Sequence, residues 1–102
     1  MKSECGLVDY IGLPALFEQT AEECNELAFA CLKWARYLRG DNKVYGRTEQ
    51  ELISAIEEEV ADIAVCIDEL LLDGHVDGNH VIEWRNKKLK RRKERLKEEG
   101  FI

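Results

Sequence analysis

The sequence predicts an all-α protein, a bundle of about three long helices in a single domain of 102 residues. Two long stretches repeat apolar residues at the three- and four-residue spacing of a helix, and a strongly charged third stretch follows them. The chain contains one proline and is 45% hydrophobic, which is typical of a folded protein. It has no alternating apolar and polar run bounded by turns, so strands are not expected.

The first long helix is predicted from Pro14 to Arg39. Proline suits a first helical turn, and the apolar periodicity continues without interruption until Gly40, Asp41 and Asn42 end the helix. Residues 1–12 precede this helix and are expected to form a short helix or an N-terminal arm.

The second long helix is predicted to begin after Thr48. Thr48 and Glu51 fit a capping box, in which each side chain binds a free backbone amide of the other residue. The apolar pattern then runs to about Leu72, before Asp73 and Gly74. The third helix begins after the N-cap Asp77 and ends near Glu98, with a basic C-terminal part over residues 85–99.

The net charge of −6 is the sum of two regions of opposite charge. Residues 1–84 contain 6 basic and 18 acidic side chains, whereas residues 85–102 contain 9 basic and 3 acidic ones. An acidic total argues against a general nucleic-acid binder. The separation instead predicts an acidic body with a basic helix attached.

The short length predicts self-association. A chain of this size buries only about 60–65% of its unfolded surface, so a monomer would be marginally stable and at least a dimer is expected. No segment has the roughly 20 apolar residues that a bilayer span needs, so no membrane association is expected.

The cysteines Cys5, Cys24, Cys31 and Cys66 form no C-x-x-C pair, and no signal peptide precedes them. Three of them fall on apolar helix faces, where a free cysteine packs as a small hydrophobic residue. A reducing, cytoplasmic location is expected.

The first two long helices share one pattern of side chains. At 100° per residue, a mostly apolar arc lies between about 20° and 120° from Glu23 in one helix and from Glu59 in the other. Glu26 and Asp62 lie near −60° in their respective helices. The arcs consist of Leu13, Leu16, Phe17, Thr20, Cys24, Leu27, Cys31, Trp34, Ala35 and Leu38, and of Leu52, Ile53, Ile56, Val60, Ile63, Ile67, Leu70 and Leu71.

Glu23, Glu26, Glu59 and Asp62 are therefore candidate metal ligands. A desolvated carboxylate costs several kcal/mol unless it is paired or bound to a metal, and two packed helices can direct all four groups into one cavity. An all-oxygen site suits Mg²⁺ or Mn²⁺, while iron is disfavoured because neither pair contains the histidine of a Glu-x-x-His motif. The alternative is a solvated acidic face, which is the expected role of Glu49, Glu51, Glu57 and Glu58.

Glu22-Glu23-Cys24-Asn25-Glu26 followed by Glu59-Val60-Ala61-Asp62 resembles the Glu-Glu-x-x-Glu … Glu-x-x-Asp signature of the MazG-like all-α nucleoside triphosphate pyrophosphohydrolases. The resemblance extends over residues 14–98. Small phage and bacterial members also have a Lys-x-x-Arg motif and a basic last helix, which Lys33 and Arg36 and the segment from Lys88 to Arg95 resemble.

The resemblance implies hydrolysis of a nucleoside triphosphate to the monophosphate and pyrophosphate. It implies Mg²⁺, with Mn²⁺ as a possible substitute, on Glu23, Glu26, Glu59 and Asp62. It also implies that Glu22 and Glu23 are the catalytic residues, with Glu22 either activating water or supporting the metal ligands. It also implies a homodimer or homotetramer in which a four-helix bundle completes each active site.

Two roles are possible for each set of basic and aromatic residues. Lys88, Arg92 and Arg95 lie on one helical stripe and can hold substrate phosphates, or the helix can be solvated or bind nucleic acid. Lys33 and Arg36 are phosphate-binding candidates or partners in surface salt bridges. Trp34, Tyr37 and Trp84 are candidates for stacking on a base, although packing in the core is the commoner role.

Two functions of other classes compete with the enzyme. One is a non-catalytic helical interaction module, in which the acidic face binds a basic partner helix. The other is a nucleic-acid-binding regulator that uses residues 85–97, for which a steep salt dependence of affinity is expected.

Overall fold

The computed structural model describes residues 6–40 and 47–102, and every regular element in these ranges is a helix. The predicted all-α class is thereby confirmed. A short helix α1 precedes the three long ones, as expected for the N-terminal segment. The helices are α1 (Val8–Ile11), α2 (Leu13–Arg39), α3 (Glu49–Asp73) and α4 (Gly78–Glu98). Asp41 and Asn42, two of the predicted helix-ending residues, lie outside the described ranges, as does Cys5.

The long helices end where the sequence predicts. The Thr48 hydroxyl accepts the Glu51 amide at 3.2 Å, and the Glu51 carboxylate accepts the Thr48 amide at 3.4 Å, which completes the capping box of α3. Gly40 and Gly74 end α2 and α3 with φ of 75° and 83°, a left-handed conformation that favours glycine. Asp77 caps α4 by accepting two backbone amides.

Helices α2 and α3 form an antiparallel hairpin. At one end the Tyr37 hydroxyl donates to Glu49 at 2.7 Å, and at the other end the Phe17 and His75 rings meet edge to face with centroids 6.4 Å apart. The seam between the helices contains the whole set of buried hydrophobic side chains in the described chain. These are Leu16, Leu52, Cys66 and Leu70.

The apolar arc of each helix is split between the seam and the surface. The Leu16 and Leu52 side chains are buried in the seam, while the next residues, Phe17 and Ile53, are exposed. In an antiparallel pair, side chains at the same angle from the seam around each helix axis lie on the same face of the hairpin. The exposed parts of the two arcs therefore adjoin. This apolar face consists of Phe17, Cys24, Cys31 and Leu38 on α2 and Ile53, Val60 and Ile67 on α3, at seven-residue intervals.

The prediction that the cysteines pack as small hydrophobic residues holds for one of the three cysteines in the described ranges. Cys66 is buried in the seam, but Cys24 and Cys31 are exposed on the apolar face. These two side chains are placed to pack only if another surface covers that face.

Helix α4 extends away from the hairpin. Residues 79–98 are all exposed, including Trp84, whose exposed fraction is 58%. The radius of gyration is 17.9 Å, whereas a compact chain of this length has about 13 Å. No helix in the described ranges is long and apolar enough to cross a lipid bilayer.

Candidate metal centre

Two glutamates occupy seam positions that leucine and cysteine fill elsewhere along the hairpin. Glu23 follows the buried Leu16 by seven residues, and Glu59 lies seven residues after the buried Leu52 and seven before the buried Cys66. Seven residues are about two helical turns, so the heptad spacing that buries these apolar side chains also directs both glutamates into the helix interface. The local fold thus places ionisable groups where apolar packing is expected.

Glu26 and Asp62 each lie one turn further along the same helices, and they complete a four-carboxylate cluster. One oxygen from each of Glu23, Glu26, Glu59 and Asp62 lies within 4.8 Å of all the others. The sequence predicted these four residues as one group, and the structure brings them together. We call this group the carboxylate cluster.

Two oxygens of the carboxylate cluster are buried without a donor among the described residues. Glu23 Oε2 and Glu59 Oε2 are buried and have no hydrogen-bond partner in the described structure. Helix α3 contains nine acidic residues and no basic one, so it supplies no cation to the cluster. Two buried acceptors without donors are costly unless another group binds them.

The crowding raises the pKa of both seam glutamates. Desolvation, followed by the charges of Glu26, Asp62 and Glu59, raises the pKa of Glu23 from 4.5 to about 7. Desolvation and the neighbouring Glu26 charge likewise raise the pKa of Glu59. Without a bound cation, the folded chain therefore favours a protonated carboxyl in the cluster.

The donor set fits a hard divalent cation. At the Mg²⁺–oxygen distance of about 2.1 Å, octahedral ligand atoms are about 3.0–4.2 Å apart, slightly closer than the 4.8 Å limit of the cluster. Small side-chain adjustments close this difference. The all-oxygen, anionic set suits Mg²⁺ or Mn²⁺, and it contains none of the nitrogen or sulfur ligands that zinc prefers.

A groove of about 540 Å³ lies beside the cluster on the hairpin face opposite the apolar face. Glu26 and Glu59 form part of its lining, and Lys33 and Arg47 contribute two cations. Asn25, Phe29 and Ala55 complete the lining. Its volume falls in the range of small-molecule sites.

The structure separates the other predicted residues of α2. Lys33 lines the groove near the cluster, whereas Arg36 is exposed and is absent from the groove lining. Glu22 is exposed and is not part of the cluster. Its predicted role in activating water stays a prediction.

The predicted base-stacking residues are in two different places. Trp34 and Tyr37 are half-buried and stack on each other, with centroids 5.4 Å apart and ring planes 13° apart. The hydrogen bond to Glu49 raises the pKa of the Tyr37 hydroxyl and fixes its ring at the end of the seam. Trp84 is on α4, where Lys87 Nζ lies 5.1 Å from its ring centroid.

The predicted phosphate-binding residues of α4 do not meet the carboxylate cluster within one chain. Lys88 and Arg92 line a shallow groove of about 440 Å³ together with Val81, Trp84 and other residues of α4 itself. Arg95 is exposed further along the same helix. A second chain is needed if these cations are to approach a cluster.

Sequence reasoning missed Phe29 and Arg47. Helical spacing could have indicated Phe29, because it lies three residues after Glu26 and four before Lys33 and so shares their helix face. Arg47 precedes α3, so helical periodicity gave no indication of its position.

Comparisons with known proteins do not assign the chain to a family. No family model matches the sequence, and neither the curated proteins nor the solved structures yield a match. The geometry of the carboxylate cluster, together with the motif resemblance, is therefore the basis for the function of this chain.

Proposed function

We propose that the protein is a Mg²⁺-dependent nucleoside triphosphate pyrophosphohydrolase. The observation that carries this proposal is the carboxylate cluster, in which four acidic side chains converge and two buried oxygens have no partner. A divalent cation would neutralise this cluster and supply the missing partners of the two buried oxygens, and the order of its residues along the chain resembles the MazG-like signature. The products would be a nucleoside monophosphate and pyrophosphate. The cellular role would be control of nucleotide pools or removal of unwanted nucleoside triphosphates.

In this proposal Glu23, Glu26, Glu59 and Asp62 hold Mg²⁺, or Mn²⁺ in its place. The bound ion supplies Lewis-acid chemistry by neutralising charge on the phosphate oxygens. Glu22 accepts a proton from the attacking water. The water oxygen forms a bond to the α-phosphorus as the α–β bridging bond breaks, and pyrophosphate leaves with the electron pair.

The basic side chains offset the negative charge of the triphosphate. Lys33 lies in the groove beside the cluster, and Arg36 is close along α2. Lys88, Arg92 and Arg95 approach the phosphates from α4 of a second chain. Trp34, Tyr37 and Trp84 remain the proposed contacts to the base.

A second copy of the chain is the proposed partner, in a homodimer or homotetramer. The exposed apolar face lies on α2 and α3, and these two helices are long enough to form half of a four-helix bundle. Pairing two hairpins through this face buries the heptad side chains of both copies. The four-helix bundle thus belongs to the assembly rather than to one chain.

The direct test is pyrophosphate release by the purified protein. With Mg²⁺ or Mn²⁺ we expect at least one of a panel of canonical, deoxy and damaged nucleoside triphosphates to yield equimolar monophosphate and pyrophosphate. Glu59→Gln should lower the rate by at least about 100-fold, because it removes a charged metal ligand. Glu57→Gln, on an exposed position of the same helix, is the matched control and should retain activity. No pyrophosphate from any member of the panel would contradict the proposal.

A nucleic-acid-binding or helix-binding module is the second candidate. The specific observation in its favour is that residues 79–98 are all exposed and that the C-terminal part of this helix, from residue 85, is strongly basic. Binding to RNA or DNA that weakens steeply between 50 and 200 mM salt would support the nucleic-acid form. Metal-independent binding of the acidic face to a basic partner helix would support the other form.

A further inference from the structure

We infer that Arg47 and Lys33 form an anion subsite next to the carboxylate cluster, and that this subsite binds the phosphates of a polyphosphate ligand that extend beyond the metal. The inference deepens the proposed function and rests on it for the identity of the ligand. Arg47 has no role in the motifs of the sequence, so its assignment comes from the groove alone.

The groove places opposite charges at separate positions along one open channel. Glu26 and Glu59 lie at the cluster, and Lys33 and Arg47 complete the lining of the same groove. Lys33 follows Glu26 by seven residues, which is about 10 Å along a helix. A ligand with several phosphates can therefore contact a metal at the cluster and the cations further along the channel.

Phe29 holds the Lys33 ammonium inside the groove. Lys33 Nζ lies 4.3 Å from the centroid of the Phe29 ring, and Phe29 is one turn closer to Glu26. Helical side chains lean toward the N-terminus, so this contact draws the ammonium back toward the cluster. Among the described residues, Lys33 makes no ion pair that would compete with a bound anion.

Arg47 contributes the second cation from the segment that precedes α3. Its side chain is exposed and, within residues 6–40 and 47–102, it makes neither a hydrogen bond nor an ion pair. Unpaired guanidinium groups suit phosphates because two parallel N–H groups can bind two oxygens of one phosphate. Arg47 also lines a second groove with Gln50, Glu51 and Glu58, and it precedes the first turn of α3.

The arrangement assigns a direction to the ligand. Glu26 and Glu59 would hold the metal next to one phosphate of the ligand. The phosphates beyond it would lie toward Lys33 and Arg47, at the end of the hairpin where α2 finishes and α3 begins. In the proposed reaction, these outer phosphates are the departing pyrophosphate. Cations at this position would stabilise the charge that develops on the leaving group.

The test measures binding of tripolyphosphate by titration calorimetry in the presence of Mg²⁺, with Mg²⁺ alone as a second titration. We expect Arg47→Gln and Lys33→Gln each to weaken tripolyphosphate binding by at least about 10-fold, as loss of a charge-assisted hydrogen bond does. Arg47→Lys should give an intermediate affinity, because it keeps the charge but loses the two-pronged contact. Binding of Mg²⁺ alone should change by less than about twofold in all three variants.

Arg39→Gln is the matched control, since it removes one exposed cation of α2 outside the groove lining. Equal losses in Arg39→Gln and Arg47→Gln, or no loss in Arg47→Gln, would overturn the subsite. The proposed function fails separately: wild-type protein that binds tripolyphosphate through Arg47 but releases no pyrophosphate from any nucleotide would retain the subsite and exclude the hydrolase.

Discussion

Glu23 and Glu59 occupy positions where the heptad pattern of the hairpin requires apolar side chains. Each has one buried oxygen without a donor, and desolvation with the surrounding carboxylates raises the pKa of both. Residues that weaken the fold in this way are typical of functional sites, where a ligand supplies the missing interaction. In the proposed function, the two glutamates therefore connect the stability of the metal-free chain with metal binding.

The first prediction concerns removal of one of these charges. Glu59→Gln should raise the thermal midpoint of the metal-free protein by a few degrees, because a neutral amide replaces a carboxylate crowded by three others. The same variant should lose the stabilisation that Mg²⁺ gives the wild type. Thermal unfolding in EDTA and in Mg²⁺ measures both effects. Glu57→Gln is the control, and a metal-free Glu59→Gln protein less stable than wild type would contradict the prediction.

The second prediction is a pH dependence of the metal-free chain. The pKa of Glu23 is about 7 in the folded protein and 4.5 as the ordinary value, so between these pH values the folded chain binds more protons than the unfolded chain. Stability should therefore fall as pH rises from about 4.5 to 7 and level off above 7. Urea unfolding in EDTA at pH 5, 6, 7 and 8 measures the trend. Glu23→Gln should flatten it, whereas a wild-type stability that rises across this window would refute the assignment.

At the scale of elements, local chemistry determined the helix ends and made them predictable. The capping box of Thr48, the N-cap Asp77 and the glycines Gly40 and Gly74 each satisfy free backbone groups or adopt a left-handed turn, and these effects depend on neighbouring residues alone. The four metal-ligand candidates were predictable for a related reason, because their matched phase on two helices follows from periodicity.

Contacts between elements were less accessible to sequence reasoning. Periodicity gave the width of each apolar arc but not which part the neighbouring helix would cover, so the exposure of Cys24 and Cys31 was not foreseen. Arg47 reaches the groove from a segment without helical periodicity. Both features depend on how α2 and α3 pack against each other, which no local pattern encodes.

The third prediction belongs to α4, for which the cap matters because residues 79–98 are all exposed and none of them is buried in a core. Asp77 accepts the Asn79 and His80 amides at 2.8 and 3.2 Å, and these bonds lower the pKa of its carboxyl. Asp77→Ala should speed amide hydrogen exchange in the first turns of α4 and leave α2 and α3 unchanged.

Asp68→Ala, which removes an exposed carboxylate of α3, is the control for the charge change. Equal exchange rates in α4 of the wild type and of Asp77→Ala would show that packing, not the cap, maintains this helix. Such packing would have to come from another chain.

At the scale of the whole molecule, the hairpin has two faces with different chemistry. One face is apolar and exposed, and the other contains the groove with its carboxylates and cations. The radius of gyration of 17.9 Å exceeds the value of about 13 Å for a compact chain of this length, and only four hydrophobic side chains are buried within residues 6–40 and 47–102. Both observations support the proposal of a second copy. A second copy on the apolar face would build a core and leave the groove open to a ligand.

The fourth prediction uses a matched pair of valines on α3. Val60 lies on the apolar face and Val65 lies five residues later, about 140° around the helix, with exposed fractions of 51% and 58%. Val60→Asp should shift the protein from dimer or tetramer toward monomer, weakening association by about 100-fold or more, because the new charge would be buried without a partner. Val65→Asp adds the same charge at similar exposure on the other side and should leave association intact.

Analytical ultracentrifugation over a range of protein concentrations distinguishes these outcomes. Dissociation by both variants to the same extent would mean that added negative charge, rather than its position, opposes assembly. A wild-type protein that stays monomeric at high concentration would exclude the apolar face as an interface between copies. Loss of association in Val60→Asp alone would instead locate the contact on the apolar face. Because the proposed active site takes Lys88, Arg92 and Arg95 from a second chain, pyrophosphate release should fall with association.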